Sequence, residues 1–357
     1  MTYGATLTQG IISGPRGPAP ARTVQVGTED GGQRLDNFLL RHLKGVPKTH
    51  VYRIIRSGEV RLNGGRCQAD TRVSPGDRVR VPPLRLPQRE TAAALPPARQ
   101  FPILFEDDWL LALNKPAGVA VHGGSGVDHG LIEQLRASRP QAPMLELVHR
   151  LDRETSGVLL VAKKRSALRG LQAQLLARET GKVYLALALG TWPARLKVLD
   201  QPLQKLLVPG LNGESERRVR VVDRDDPDGQ RSVTLVRVLQ RLHPAETSTP
   251  PLDVLSLLQV RIQTGRTHQI RVHLANVGHP IAGDDKYGNF AANKAMTQGA
   301  LGLPLRRMFL HAWQFRCLHP HTGEALALSA PLDAALLAVL QACGGTPPVF
   351  EETHATL

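Results

Sequence analysis

Between residues 82 and 102 prolines recur without a period, with LPQRETAAALPPARQFP as the main stretch, and this run constrains the fold more than any other feature. Proline cannot donate to a helix or sheet ladder, and it biases the preceding residue toward extended backbone. No regular element is therefore expected to cross it, and the 357 residues are expected to fold as two units. Residues 30–90 make the smaller unit, 91–100 the linker and 101–343 the larger unit. Flexible tails are expected at 1–29 and 344–357.

Charge separates the same two regions. Residues 33–90 hold 13 Lys and Arg against 5 Asp and Glu, so this stretch carries +8 of the chain's formal +14. A surface of that sign attracts phosphate, which points to nucleic acid or an acidic membrane as partner. Leu35, Phe38, Leu39 and Leu43 recur at helical spacing, and after Pro47 so do Val51, Ile54 and Ile55. Lys48, Arg53 and Arg56 fall off the second apolar stripe. The chain then breaks at Gly58 into a strand-like 59–62 carrying Arg61, turns at Asn63-Gly64 and again at 75–77, and alternates over 79–81. Two short helices and a small hairpin sheet with cations on one face would read an RNA backbone.

Several function classes are excluded. No apolar run approaches the roughly 18 residues of a spanning helix, and the N-terminus lacks a basic start, apolar run and cleavage site. Cys67, Cys317 and Cys343 are far apart and form no CxxC pair, which suggests neither disulfide framework nor zinc site and suits a reducing cytoplasm. His268 and His273 are five apart, not the i, i+4 spacing of a helical zinc pair, and read as structural or RNA-facing. GGSGVDHG at 123–130 has His129 where a dinucleotide loop needs its third glycine, and no Walker motif occurs. Neither cofactor nor metal is expected.

The larger unit alternates strand-like runs (110–114, 157–163, 183–189, 255–262, 307–315) with helical ones (131–137, 166–179, 267–277), which makes the chain α+β or mixed α/β. Residues 223–231 and 241–251 are polar, Pro-containing loops. LVHRLDRETSGVLL at 147–160 sets His149, Arg150, Asp152, Arg153, Glu154 and Thr155 in a polar loop before an apolar strand. Asp152, flanked by two arginines, is expected to be anionic and suited to act as nucleophile or base, or to be the centre of a structural salt-bridge knot. QTGRTHQIRVH at 263–273 ends a strand, turns at Gly265 and starts a helix with Thr267 as N-cap. Arg266 at that corner would hold a carboxylate or phosphate, or with Arg271 merely cover helix surface. In KVYLALAL at 182–189 strict alternation puts Tyr184 on one face with Ala186 and Ala188. An aromatic with space in front of it either stacks on a base or fills the core.

HRLDRETSG at 149–157 resembles the signature of the RluA-type pseudouridine synthases. It is joined in family order by NKPAGVAVHGG at 114–124, LLVAKKRSALRGL and KVYLAL within 159–187, TGRTHQIRVHLANVGHPIAGDDKYG at 264–288 and MFLHAW at 308–313. RLDNFLLRHLKGVPKTHVYRIIRSGEVRLNG at 34–64 is similar to the S-four-like RNA-binding module of many of these enzymes. Its wording is closest to the branch acting on large-subunit ribosomal RNA called synthase C.

The resemblance implies a catalytic domain with a mixed, mainly antiparallel sheet flanked by helices, converting uridine to pseudouridine in 23S ribosomal RNA or the assembling large subunit. It implies that Asp152 is the catalytic carboxylate, that Arg266 pairs with it, that Tyr184 stacks on the target base and that Arg150 fills the gap left by the flipped nucleotide. Lys48, Arg53, Arg56, Arg61, Gln269 and Arg271 are expected to contact RNA. A cytoplasmic monomer without membrane or nucleotide cofactor is expected. The alternatives are a sister synthase acting on other ribosomal or transfer RNA uridines and a non-catalytic assembly factor using the same basic surfaces.

Overall fold

The computed structural model describes residues 21–43, 46, 48–84, 96–123, 129–209, 215–244 and 252–350. The chain divides into two compact units, Met1–Ala94 and Leu95–Leu357.

The first unit contains β1 (Arg22–Gln25), α1 (Leu35–His42), α2 (Lys48–Arg56), β2 (Arg61–Leu62) and β3 (Arg78–Val81), with sheet order β1-β3-β2, all antiparallel. The helical stripes close on the sheet: Leu35, Phe38, Leu39, Val51 and Ile54 are buried against Val60, Val79 and Val81. Each such side chain contributes about 1.5–3 kcal/mol by leaving water. Asn63 and Gly64 both take positive φ, 51° and 84°, the pair of left-handed residues that a tight hairpin requires. β1 lies inside the expected tail of residues 1–29. It is ordered because Arg22 through Gln25 pair with β3 and Val26 is buried behind them. Residues 1–20 lie outside the described residues.

The second unit runs β4 (Ile103–Glu106), β5 (Leu110–Lys115), α3 (Leu131–Ser138), β6 (Glu146–Leu147), β7 (Ser156–Ala162), α4 (Arg165–Ala177), β8 (Gly181–Leu189) and β9 (Val198–Asp200). It continues through β10 (Leu203–Pro209), β11 (Ser215–Val221), β12 (Val233–Leu242), β13 (Leu255–Ile262), α5 (Gln269–Asn276), α6 (Phe290–Thr297), β14 (Leu310–Leu318), β15 (Ala325–Ser329) and α7 (Ala334–Ala342). Among the described residues one large sheet has the order β4-β5-β7-β14-β8-β13-β12-β9, with β15 on β14 and β6 on β7, while β10 and β11 form a separate hairpin. Its pairs are antiparallel except β7 with β14. β7 and β8 are apolar on both faces because both faces are covered. α3 and α5 pack on the side that holds Leu159, Val161, Tyr184, Ala186 and Ala188, and α4, α6 and α7 on the other.

Gly157 makes the parallel pair possible. Its φ is +111°, and a Cβ there would lie 2.1 Å from the Ala312 carbonyl oxygen, so only glycine allows β14 to approach the start of β7. The close approach joins the loop preceding β7 to the centre of the sheet.

Three expectations are corrected. Residues 307–309 precede β14, and Arg307 reaches Ser156 Oγ (2.8 Å), the Met308 carbonyl and Asp333. α5 starts at Gln269, with the left-handed His268 as N-cap in place of Thr267. Residues 344–350 of the expected C-terminal tail are docked: Thr346 exchanges hydrogen bonds with the Gln240 amide, and Phe350 packs near Leu185 and Trp313. Residues 351–357 and 245–251, and most of the 123–130 glycine loop, lie outside the described residues.

Candidate active site

Two anchors, one partly and one fully buried, shape the loop between β6 and β7. His149 stacks on Phe315 with centroids 5.1 Å apart and accepts the Leu160 N–H at Nε2. Burial pushes its pKa down to about 4, so it is a neutral pin. Lys115, the last residue of β5 and fully buried, donates from Nζ to the carbonyls of Pro116 (2.8 Å), Val119 (2.8 Å) and Arg153 (3.0 Å). Burial lowers its pKa to about 7, opposed by the charges of Glu154 and Asp152. Between these anchors, with the Thr155 N–H closing a turn onto its carbonyl, Asp152 points into a cleft.

Behind the loop, Arg307 donates to Ser156 Oγ, which lies 2.8 Å from His311 Nδ1, and His311 Nε2 lies 3.0 Å from the Ala330 carbonyl. The direction is forced: Ser156 accepts from arginine and donates to an unprotonated Nδ1. Burial holds His311 neutral, with its pKa lowered to about 4.

The cleft has a narrow part of about 80 Å³ lined by Asp152, Tyr184, Ile262, Ile270 and Leu310. Arg150, Asp152, His268 and Arg271 line both this part and a wider mouth of about 320 Å³ that includes Lys286. Tyr184 is 9% exposed, and burial together with the Asp152 charge pushes its hydroxyl pKa upward. Its ring is thus a neutral, mostly apolar wall beside the carboxylate. Among the described residues no His, Cys, Asp and Glu group is arranged to hold a metal ion.

The cation paired with Asp152 is Arg271. Its NH1 lies 3.7 Å from Asp152 Oδ2, while its Nε and NH2 grip Asp284 at 2.7 Å each and NH2 reaches Asp285 at 3.2 Å. Arg271 is 5% exposed, so it is an internal residue and not the RNA-facing surface cation expected. Arg266, expected to make the pair, is exposed at the cleft edge and directs Nε to the Arg231 carbonyl at 3.4 Å. The correction has a helical cause. Gly265 and Arg266 lie on the approach to α5, whereas Arg271 is inside it, on the side turned to the β6–β7 loop.

Gln269 is likewise buried: its amide takes Thr264 Oγ1 and Arg266 N as donors and gives to the Val233 carbonyl and Thr234 Oγ1, leaving it no role at the RNA surface. His273 is completely buried between Thr234 and the Gln201 carbonyl. Arg150 is exposed along both parts of the cleft; Arg153, the other flanking arginine, turns to Glu154 and the Gly118 carbonyl. In the first unit Arg53 and Arg56 are exposed on α2 and Arg61 is partly exposed on β2, while the Lys48 side chain lies outside the described residues.

Residues 109–276 match the RNA pseudouridylate synthase family, and residues 33–79 match the S4 domain. A Salmonella typhimurium protein described as ribosomal large subunit pseudouridine synthase C is 46% identical over 325 residues, 90% of this chain and 96% of that protein. The chain belongs to the RNA pseudouridylate synthase family. An Escherichia coli K12 protein of the same description is equally similar, 46% over 325 residues. Among solved structures, human RNA pseudouridylate synthase domain containing 1 superimposes with a TM-score of 0.52 at 26% identity, covering 68% of this chain and 87% of that one. As expected, the synthase has a mixed, mainly antiparallel sheet with flanking helices and an S4 domain at its N-terminus.

Lys115, Asp284 and Tyr287 of this RNA pseudouridine synthase were not read from the sequence as site residues, and His268 was read only as structural or RNA-facing. A lysine ending a mostly apolar strand, and a paired Asp284-Asp285 after a helix carrying Arg271 and His273, were the signals available.

Proposed function

We propose that this synthase isomerises uridine to pseudouridine in 23S ribosomal RNA, with Asp152 as the reacting carboxylate. The observation that carries the reading is Asp152 in a cleft between a buried guanidinium, 3.7 Å away, and the wall formed by Tyr184, Ile262 and Leu310. The reaction is an isomerisation. The bond from N1 to C1′ breaks, C5 joins C1′, C5 loses a proton and N1 gains one, so neither oxidant nor group donor is required. A narrow cleft of this kind takes a base only after it leaves its stack. Flipping costs a few kcal/mol, least in loops, and the net +8 of residues 33–90 offsets it by holding the phosphate backbone. Tyr184 is the surface for the flipped base, Arg150 occupies the vacated space in the RNA, and Arg271 holds the carboxylate. Arg266, Arg53, Arg56 and Arg61 contact the backbone.

The sequence of the whole 325-residue match to proteins described as acting on the ribosomal large subunit supports that substrate, and the enzyme acts as a cytoplasmic monomer. No described helix is long and apolar enough to cross a membrane. The test is a base-by-base pseudouridine map of ribosomal RNA from a strain lacking the gene, complemented with parent or Asp152→Asn. Loss of particular 23S pseudouridines, restored by the parent alone, is expected. An unchanged 23S map would overturn the proposal.

A further inference from the structure

The hydrogen bonds around His268 run in one direction. Tyr287 Oη lies 3.0 Å from Val219 N on β11 and 2.9 Å from His268 Nδ1. A backbone N–H only donates, so the tyrosine oxygen accepts from Val219 and its single proton is left for His268 Nδ1. A nitrogen that accepts carries no proton, which places the imidazole proton on Nε2. That atom lies 3.9 Å from Asp152 Oδ2.

We propose that Tyr287 is a positioning residue for the isomerisation: its hydroxyl fixes His268 as the Nε2–H tautomer and thereby turns a donor, not a lone pair, toward the Asp152 carboxylate.

Each member of the chain is held in place. His268 sits at the left-handed corner before α5, φ 53°. The Arg271 guanidinium lies over the Tyr287 ring at 5.2 Å, and Leu203, Val219 and Val272 pack beside it. Asp284 Oδ1 accepts the Lys286 and Tyr287 backbone N–H groups, fixing the segment that carries the tyrosine. Asp152 and Arg150 face this region from the β6–β7 loop, Arg271 from α5, and Asp284, Asp285 and Lys286 from the segment before α6. β11 contributes the uncharged Val219 N–H. An imidazolium would direct a second donor at the tyrosine oxygen and strand the hydroxyl proton. Burial, acting against the Asp152 charge, lowers the His268 pKa and favours the neutral ring. In the other tautomer a nitrogen lone pair would face the carboxylate and push it away from Arg271 NH1.

The inference rests on Asp152 as the reacting group, but its first test does not use activity. Nitrogen-15 NMR of the full-length parent, labelled at histidine and assigned by comparison with His268→Gln, reads the tautomer directly. A neutral ring protonated at Nε2 at pH 7 is expected; an Nδ1–H ring or an imidazolium would overturn the proposal, whatever Asp152 does. The second test is Tyr287→Phe, which keeps the ring under Arg271 and removes only the hydroxyl. The Nε2–H preference should be lost, and the single-turnover rate on saturating ribosomal RNA fragment should fall several-fold, up to about tenfold, the scale of one hydrogen bond between neutral groups. A Tyr287→Phe protein that retains both the Nε2–H signature and the parental rate would overturn the assignment.

Discussion

Asp152→Asn separates the catalytic reading of this site from a purely structural one, and the geometry sets the size of each effect. Asn keeps the shape of the side chain and removes its charge. In the parent, Arg271 holds Asp284 through two 2.7 Å contacts and Asp285 through a third at 3.2 Å, so its charge is already balanced; the contact to Asp152 is longer, at 3.7 Å. Asp152 is also 26% exposed at its side chain, so water screens the pair. The stability lost in Asp152→Asn is then about 0–1 kcal/mol, at most some 2–4 °C of melting temperature for a unit of this size. Asp284→Asn is the contrast. That side chain is 1% exposed, and removing its charge takes from the buried guanidinium its buried two-pronged partner, leaving only the exposed Asp285 and the longer contact to Asp152, at a cost of up to ~3–5 kcal/mol, roughly 6–20 °C. The assay is thermal melting by circular dichroism, RNA affinity, and single-turnover pseudouridine formation on saturating 23S fragment, all on the same preparations. Asp152→Asn should melt like the parent, bind RNA and form no product. The reasoning fails if Asp152→Asn is destabilised as much as Asp284→Asn, or if well-folded Asp152→Asn makes product at a tenth of the parental rate.

Arg271→Lys should lose both stability and turnover, because a point ammonium cannot keep the two-pronged grip on Asp284; Arg266→Lys should melt normally and turn over near the parental rate, and a reversed ranking in single-turnover assays would reject the pairing described. Gly157→Ala, which places a methyl group 2.1 Å from a carbonyl oxygen at φ +111°, should lower stability by several kcal/mol or abolish soluble expression, read by melting or yield. Acid should destabilise the catalytic unit through His311: its pKa is lowered to about 4 on folding, so the unfolded chain binds the proton first and stability present above about pH 6.5 is lost toward pH 4, at up to about 1.4 kcal/mol per pH unit. The melting temperature of His311→Gln should therefore fall less steeply over that window than the parent's. Deleting residues 1–94 should flatten the salt dependence of RNA binding by roughly 0.7–0.9 in log–log slope per lost phosphate contact, and an unchanged slope would count against the first unit as RNA reader.

The elements whose environment is written in local period were legible in the chain itself. The stripes of α1 and α2, the alternation of Tyr184, Ala186 and Ala188 along β8, and the polar loop holding Asp152 ahead of a two-sided apolar strand all follow from spacing and from where polar groups interrupt it. Partnership was not legible. Arg266 and Arg271 are both arginines five residues apart, and nothing local tells which one meets a carboxylate 119 positions upstream of the second. The turn at His268 and the rotation of α5 decide it, because Coulomb attraction and fork geometry depend on distances that only the assembled sheet sets. In the same way the sequence offers Lys115 as a cation ending a strand, and the fold makes it an internal clamp by surrounding its Nζ with three carbonyls. Residue 271 could have been surface cover or site by sequence alone; it is site because burial against Asp284 removes the water that would otherwise have satisfied it.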